Sequence, residues 1–177
     1  MRTSHGFAEG WKAIAEGGWV GMSASPDFGG MGLPMTLTTV VNEMMSGACL
    51  SLQLAPLMSQ GQIEALENHA SEAIKRLYLP KLIAGEWTGT MNLTEPQCGT
   101  DLGLVRTRAE PDGEDALGAR VRVTVQKIWI SAGEHDLAEN IVHLVLARLP
   151  DAPAGTRGLS IFVVPKHLPR EDGSPGT

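Results

Sequence analysis

Residues suited to close polar contact with a flat ligand are crowded into Met91-Asn92-Leu93-Thr94-Glu95-Pro96-Gln97-Cys98-Gly99-Thr100-Asp101. Thr94 offers a hydroxyl and a backbone N–H, Pro96 fixes one dihedral, and Gly99 lets the backbone come close to a ligand. A turn of this kind can present several N–H groups to an electron-rich ring edge or to a phosphate, because such nests favour partial or full negative charge. The Thr-Glu-Pro and Gly-Thr-Asp steps are equally ordinary turn formers. About thirty residues later, Lys127-Ile128-Trp129-Ile130-Ser131 sets a tryptophan between two isoleucines. The alternation predicts a strand with Trp129 opposite the isoleucines, so that Gln126, Lys127 and Trp129 are available to an outer face or a ligand. An indole there would stack on a planar heteroaromatic ring, with Ser131 in reach of a ring nitrogen, or would cover a domain junction.

Other groups carry less. His135 and His143 lie eight residues apart, without the short paired spacing of a zinc site, so no metal is expected and a His135–Asp136 pair bonding a turn is the better account. Ser25-Pro26-Asp27-Phe28-Gly29-Gly30-Met31-Gly32 has the chemistry of a loop between helices; as a phosphate fingerprint it fails, because Met35 stands where the last glycine is needed. Cys49 and Cys98 form no CxxC and read as reduced thiols, with Cys98 packing as a small hydrophobe.

Two kinds of element must position these residues. From Pro34 to about Met45, Leu37, Val40, Val41, Met44, Met45 and Ala48 fall on one face of a helix, which is expected to be buried. Ile63 and Leu66 mark a second helical pattern; a third starts at Ser71, a plausible N-cap, carries Ile74 and Leu77 to Pro80, and Gly85 closes the helical half. Beyond Gly85 the period becomes two. Val105, Thr107 and Ala109 alternate with arginines, Pro111-Asp112-Gly113 supplies a turn, and Val121, Val123 and Val125 alternate again. Further strands are expected at 140–148 and 158–164. The fold class is therefore α+β, with N-terminal helices followed by an antiparallel sandwich or barrel-like β-rich domain. The boundaries expected are 1–86 for a partial helical domain, 87–166 for the β-rich domain and 167–177 for a polar, truncated loop.

With 42% hydrophobic and 19% charged residues in a chain of 177, the composition is that of a soluble globular protein. No apolar run of spanning length and no N-terminal apolar core of a secretory signal is visible, which points to the cytoplasm. A net charge of −6 argues against a nucleic-acid surface.

Together, MNLTEPQCGTD and KIWIS resemble the two flavin segments of the acyl-CoA dehydrogenases, in order and at the family's spacing. The text GEWTGTMNLTEPQCGTDLG, GEHDLAENIVHLVLAR and GLSIFVVPK is similar to the larger bacterial members, including those acting on 3-methylthiopropionyl-CoA, and the resemblance runs from about Gly18 through Lys166. It implies FAD as cofactor, contacted by Met91, Leu93, Thr94, Gly99, Thr100, Trp129, Ile130 and Ser131, with Thr100 also near an acyl-CoA substrate. It implies an oxidoreductase of fatty acid metabolism that forms a trans-2-enoyl-CoA, passes electrons to an electron-transferring flavoprotein and assembles as a homo-oligomer. The family's catalytic glutamate belongs to a C-terminal helical domain that this sequence does not contain, so no catalytic residue is expected here and the chain alone is expected to be inactive. Val125 stands where the family usually has glycine; if positive φ is needed there, a β-branched residue costs roughly 1–3 kcal/mol. The alternative is a non-catalytic binding or assembly module that has lost FAD.

Overall fold

In a computed structural model that describes residues 2–170 and 173–176, the elements are α1 (Phe7–Glu16), α2 (Met35–His69), α3 (Glu72–Ile83), β1 (Trp87–Asn92), β2 (Arg108–Asp115), β3 (Gly118–Thr124), β4 (Asn140–Ala147) and β5 (Ser160–Pro165). The class is α+β as expected. One sheet has the strand order β1-β4-β5; the other is the antiparallel hairpin β2-β3, and neither closes into a barrel. Two compact units divide the chain: 1–90 with 131–142 and 165–177, and 91–130 with 143–164.

The first unit is built on helices whose ends obey local rules. Ser71 caps α3, its hydroxyl accepting the Ile74 N–H. The helix does not stop before Pro80 as expected but passes through it to Ile83, burying Tyr78, Leu79, Leu82 and Ile83. Gly85 then takes the left-handed conformation (φ 71°), and its carbonyl accepts the Trp11 indole N–H of α1 at 3.1 Å.

α2 holds the two separate helical patterns expected, as limbs on either side of Cys49, whose φ −158° and ψ 90° are extended. Asn42 donates to Gln60 at 2.8 Å across 18 residues, and accepts from Gln53 at 2.8 Å. A straight helix would hold Asn42 and Gln60 about 27 Å apart, so the limbs 35–48 and 50–69 fold back on each other at Cys49. The contact between them is this polar seam. Much of the apolar face expected to be buried is turned outward: Leu37, Val40, Met44 and Ala48 are exposed, Val41 and Met45 are half-buried, and the buried residue of that stretch is Thr38. The loop before α2 agrees with expectation, with a single 3-10 turn at Pro26–Phe28.

In the second unit, Val105, Thr107 and Ala109 are buried, in line with their alternation. The turn is not at Pro111-Asp112-Gly113: that stretch stays in β2, with a register irregularity between Pro111 and Glu114 and Gly113 at φ 91°. The chain reverses at Ala116-Leu117, where the Asp115 carboxylate accepts the Leu117 N–H and Gly118 adopts φ 119°. Residues 125–130 form no strand. After His167 the backbone bonds to itself through Arg170 N–H to the Ser174 carbonyl and Gly176 N–H to the Leu168 carbonyl; Glu171, Asp172 and Thr177 of that segment lie outside the described residues.

A steric limit can be read at Gly30, where an added Cβ would lie 2.1 Å from the Ala24 carbonyl oxygen. That oxygen already accepts the Gly32 N–H, and the backbone has no cheap escape. Gly30→Ala is expected to destabilise the chain by about 1–3 kcal/mol, read as a lower urea midpoint with unchanged slope; an unaltered midpoint would refute this account of the loop.

Candidate functional site

The turn Glu95-Pro96-Gln97-Cys98 follows from its sequence, with proline pre-set for the second position. It is closed by paired bonds, Glu95 N–H to Cys98 at 2.8 Å and Cys98 N–H to Glu95 at 3.0 Å. Cys98 packs in a small cluster with Val105 and Leu146, flanked by Leu93, Leu102 and Leu159. This packing carries the Glu95 side chain inside, and Lys127 meets it there at 2.8 Å, each side chain only 3% exposed. Lys127 is thus neither an outer-face residue nor a ligand contact.

Glu95 is fully subscribed. One oxygen accepts from Lys127 Nζ, the Thr107 N–H and the Thr107 hydroxyl; the other accepts from the Arg106 N–H at 2.8 Å and from the Gln97 amide. Burial, the largest single influence, pushes its acidity the other way, but the Lys127 ammonium, the Thr107 hydroxyl, the Arg106 N–H and the Gln97 amide outweigh it together and lower the pKa from 4.5 to about 2. Lys127 also donates to the Leu93 carbonyl at 3.0 Å, and the neighbouring Ile128 N–H donates to the Thr94 carbonyl at 3.0 Å. The two motifs are therefore joined through one buried ion pair and two bonds to consecutive carbonyls.

The predicted contact residues differ in exposure. Met91, Leu93, Thr94 and Ile130 are half-buried, and Gly99, Thr100 and Ser131 are exposed. The hydroxyls of Thr94, Thr100 and Ser131 have no hydrogen-bond partner among the described residues. Trp129 is 88% exposed and sits at φ 59°, a conformation unfavourable for a bulky side chain. The expected strand through Trp129 is absent because the backbone turns left-handed there. Val125, where strain was expected, is not among the residues with positive φ. Gly99 needs neither positive φ nor space within the chain: an added Cβ would meet only the Thr94 side chain, its methyl at 3.5 Å and its hydroxyl at 3.9 Å.

The neighbouring acids are committed elsewhere. Glu134 pairs with Lys166 at 2.6 Å, a contact that lowers its pKa. His135 is buried and pairs not with Asp136 but with the Leu137 N–H, which its Nδ1 accepts, leaving the Nε2 proton for the Thr88 hydroxyl at 3.0 Å; burial lowers its pKa. Asp136 instead accepts from Thr3.

Residues 1–86 match the family described as acyl-CoA dehydrogenase, N-terminal domain. Over 168 residues, 95% of the chain, the sequence is 48% identical to a 3-methylmercaptopropionyl-CoA dehydrogenase of Ruegeria pomeroyi, of which it covers 28%. Over nearly its whole length the chain is similar to the acyl-CoA dehydrogenases. It is also 41% identical over 144 residues to a butyryl-CoA dehydrogenase of Syntrophomonas wolfei, with 81% of the chain and 23% of that protein aligned. The crystal structure of a glutaryl-CoA dehydrogenase from Mycobacterium smegmatis in complex with FADH2 superposes with a TM-score of 0.73 at 26% identity, over 89% of this chain and 37% of the other. The chain spans about a quarter of the length of these curated relatives.

The acyl-CoA dehydrogenase motifs drew attention to ligand contacts and left two positioning residues unnoticed. One is Glu95, whose signal was a carboxylate between Leu93 and Cys98 in a stretch otherwise short of charge. The other is Arg148, which donates to the carbonyls of Val105, Pro153, Gly155 and Gly103 at 2.7–3.1 Å and so ties two loops together; nothing in its strand-end context marks it.

Glu95 carries a pH signature. Its depressed pKa means that its contribution is complete above pH 4.5 and disappears as pH falls toward 2, and a shift of this size is worth on the order of 3 kcal/mol. Stability of the parent chain should fall across that window, and Glu95→Gln should flatten the profile. Glu95→Gln alone strands the Lys127 ammonium and should cost about 3–5 kcal/mol, whereas pairing it with Lys127→Met should recover most of the loss. Denaturant titrations at several pH values read all three; an additive double variant would defeat the coupling.

Proposed function

We propose that this chain is the helical and flavin-contacting portion, 1–86 and 87–166 followed by 167–177, of an FAD-dependent enzyme that oxidises an acyl-CoA thioester to a trans-2-enoyl-CoA in cytoplasmic fatty acid metabolism. Trp129 carries the reading. Its backbone is in a strained conformation and its ring is free, beside a segment anchored by a buried ion pair, and strain of this kind concentrates at functional sites. The unpartnered Thr94 hydroxyl and the unexplained Gly99 fit the same group, because neither is demanded by the fold.

In this reading Met91, Leu93, Thr94, Gly99, Thr100, Trp129, Ile130 and Ser131 would hold FAD, and Thr100 would also face the acyl-CoA. Bound FAD supplies acceptance of the hydride from Cβ. The chain's own part is to offer hydroxyls and backbone N–H groups where negative charge develops and an indole for stacking. The acids nearest the motifs do not act as base: Glu95 is held ionised by five hydrogen bonds and Glu134 is paired. The α-proton would be taken by a glutamate outside these residues, and this chain alone would not turn over. An electron-transferring flavoprotein as acceptor and a homo-oligomeric state are part of the same proposal. Among the described residues no helix is long and apolar enough to cross a membrane. The exposed face of Met35, Leu37, Val40 and Met44 supports the second reading, an assembly module without FAD.

Two measurements separate these. Titration with FAD, followed by flavin absorbance and fluorescence quenching, should show stoichiometric uptake; no uptake together with self-association in sedimentation would favour the assembly module. Gly99→Ala and Trp129→Gly should leave stability within about 1 kcal/mol of the parent, since one has room and the other relieves a left-handed tryptophan, while each weakens flavin uptake at least tenfold. Acyl-CoA oxidation with an artificial electron acceptor should be absent for the chain alone, and sustained turnover would contradict that part of the proposal.

A further inference from the structure

A cleft lies within the 91–130 and 143–164 unit, lined by residues outside the two flavin motifs. It has a volume of about 610 Å³ and is lined by Val105, Arg106, Arg108, Glu110 and the loop Arg148–Asp151. Strand periodicity explains one wall. Val105, Thr107 and Ala109 point into the core, so Arg106, Arg108 and Glu110 share the outward face. The opposite wall is Leu149-Pro150-Asp151, fixed by the proline ring and by Asp151 at φ 59°. The walls are tied together by Ala109 N–H to the Arg148 carbonyl at 2.8 Å and Arg148 N–H to the Thr107 carbonyl at 2.9 Å, and the Arg148 side chain spends its donors on four carbonyls. The cleft is thus preformed.

Its charges are unspent. Arg106 and Arg108 form no ion pair among the described residues, although Glu110 follows on the same face, and Glu110 and Asp151 likewise have no partner. Two guanidiniums two residues apart on one strand face suit an anion with several oxygens, which arginine engages through paired N–H groups. Two free carboxylates suit hydroxyl donors, as in the recognition of a ribose diol. Leu149 and Pro150 add apolar surface for a flat body, and the volume is within the range of small-molecule sites.

We propose that this cleft binds a nucleoside phosphate, with its phosphates on Arg106 and Arg108, its ribose hydroxyls on Glu110 and Asp151, and its base against Leu149 and Pro150. The site is separate from the flavin motifs, and its test does not depend on flavin uptake.

The test is a calorimetric titration of the whole chain with ADP, pyrophosphate, adenosine and coenzyme A. ADP should bind saturably and more tightly than pyrophosphate or adenosine. Arg106→Gln with Arg108→Gln should weaken ADP at least tenfold, and Glu110→Gln with Asp151→Asn should weaken ADP about threefold or more while leaving pyrophosphate unchanged. These residues sit on an exposed face, and unchanged circular dichroism and urea midpoints confirm that the variants fold. Absence of ADP binding up to about millimolar concentration, affinity unchanged in the arginine variant, or equal affinity for ADP and pyrophosphate each overturns the proposal. Coenzyme A binding that falls in the arginine variant while ADP does not bind overturns the free nucleotide as ligand and assigns the cleft to the nucleotide end of a CoA thioester.

Discussion

A carboxylate and an ammonium that have both left water control the geometry of the second unit. Withdrawing Glu95 and Lys127 from solvent is costly, and the cost is offset only because every oxygen of Glu95 finds a donor and Lys127 finds both a counter-charge and a carbonyl. Such a pair tolerates little displacement. It fixes the turn at Pro96, the start of the buried alternation at Arg106 and Thr107, and the entry to Trp129, three stretches that secondary structure alone would leave loosely related.

The left-handed tryptophan is intelligible in that setting. An exposed residue with φ 59° has no packing to hold it in an unfavourable conformation. The constraint comes from its neighbours: Lys127 is clamped inside and the Ile128 N–H is spent on Thr94. Rigidity is thus imported from a charge pair into a loop that has no strand to stiffen it. Arg148 does the same in another loop with four carbonyls in place of a carboxylate, so the unit relies on cations bonded to oxygen where its hydrophobic cluster is small.

Local chemistry made part of this legible in sequence. Ser71 as a cap, Gly85 as a helix end, the buried alternation 105–109 and the two motifs all follow from one residue and its near neighbours. What escaped was decided at a distance. Periodicity identified the apolar side of residues 37–48, but not that a break at Cys49 would turn a polar seam of Asn42, Gln53 and Gln60 inward and leave much of that side outside. Pro111-Asp112-Gly113 is turn-forming chemistry used for an irregularity within a strand, whereas the actual reversal depends on Asp115 and Gly118. Lys127 was misplaced because a lysine in an apolar run reads as an outer-face residue until its partner, 32 positions earlier, is known.

The polar seam of α2 also separates events in time. Its bonds close loops of 11 and 18 residues, while pairing of β1 with β4 must bring together segments about fifty residues apart. Loop entropy favours the short closures, and helices join on the microsecond scale, well ahead of non-local strands. Hydrogen bonds that specify which side chains face each other can therefore set the alignment of the two limbs before the β1-β4-β5 sheet exists. The long-range β pairing then begins from a helical hairpin whose register is already chosen.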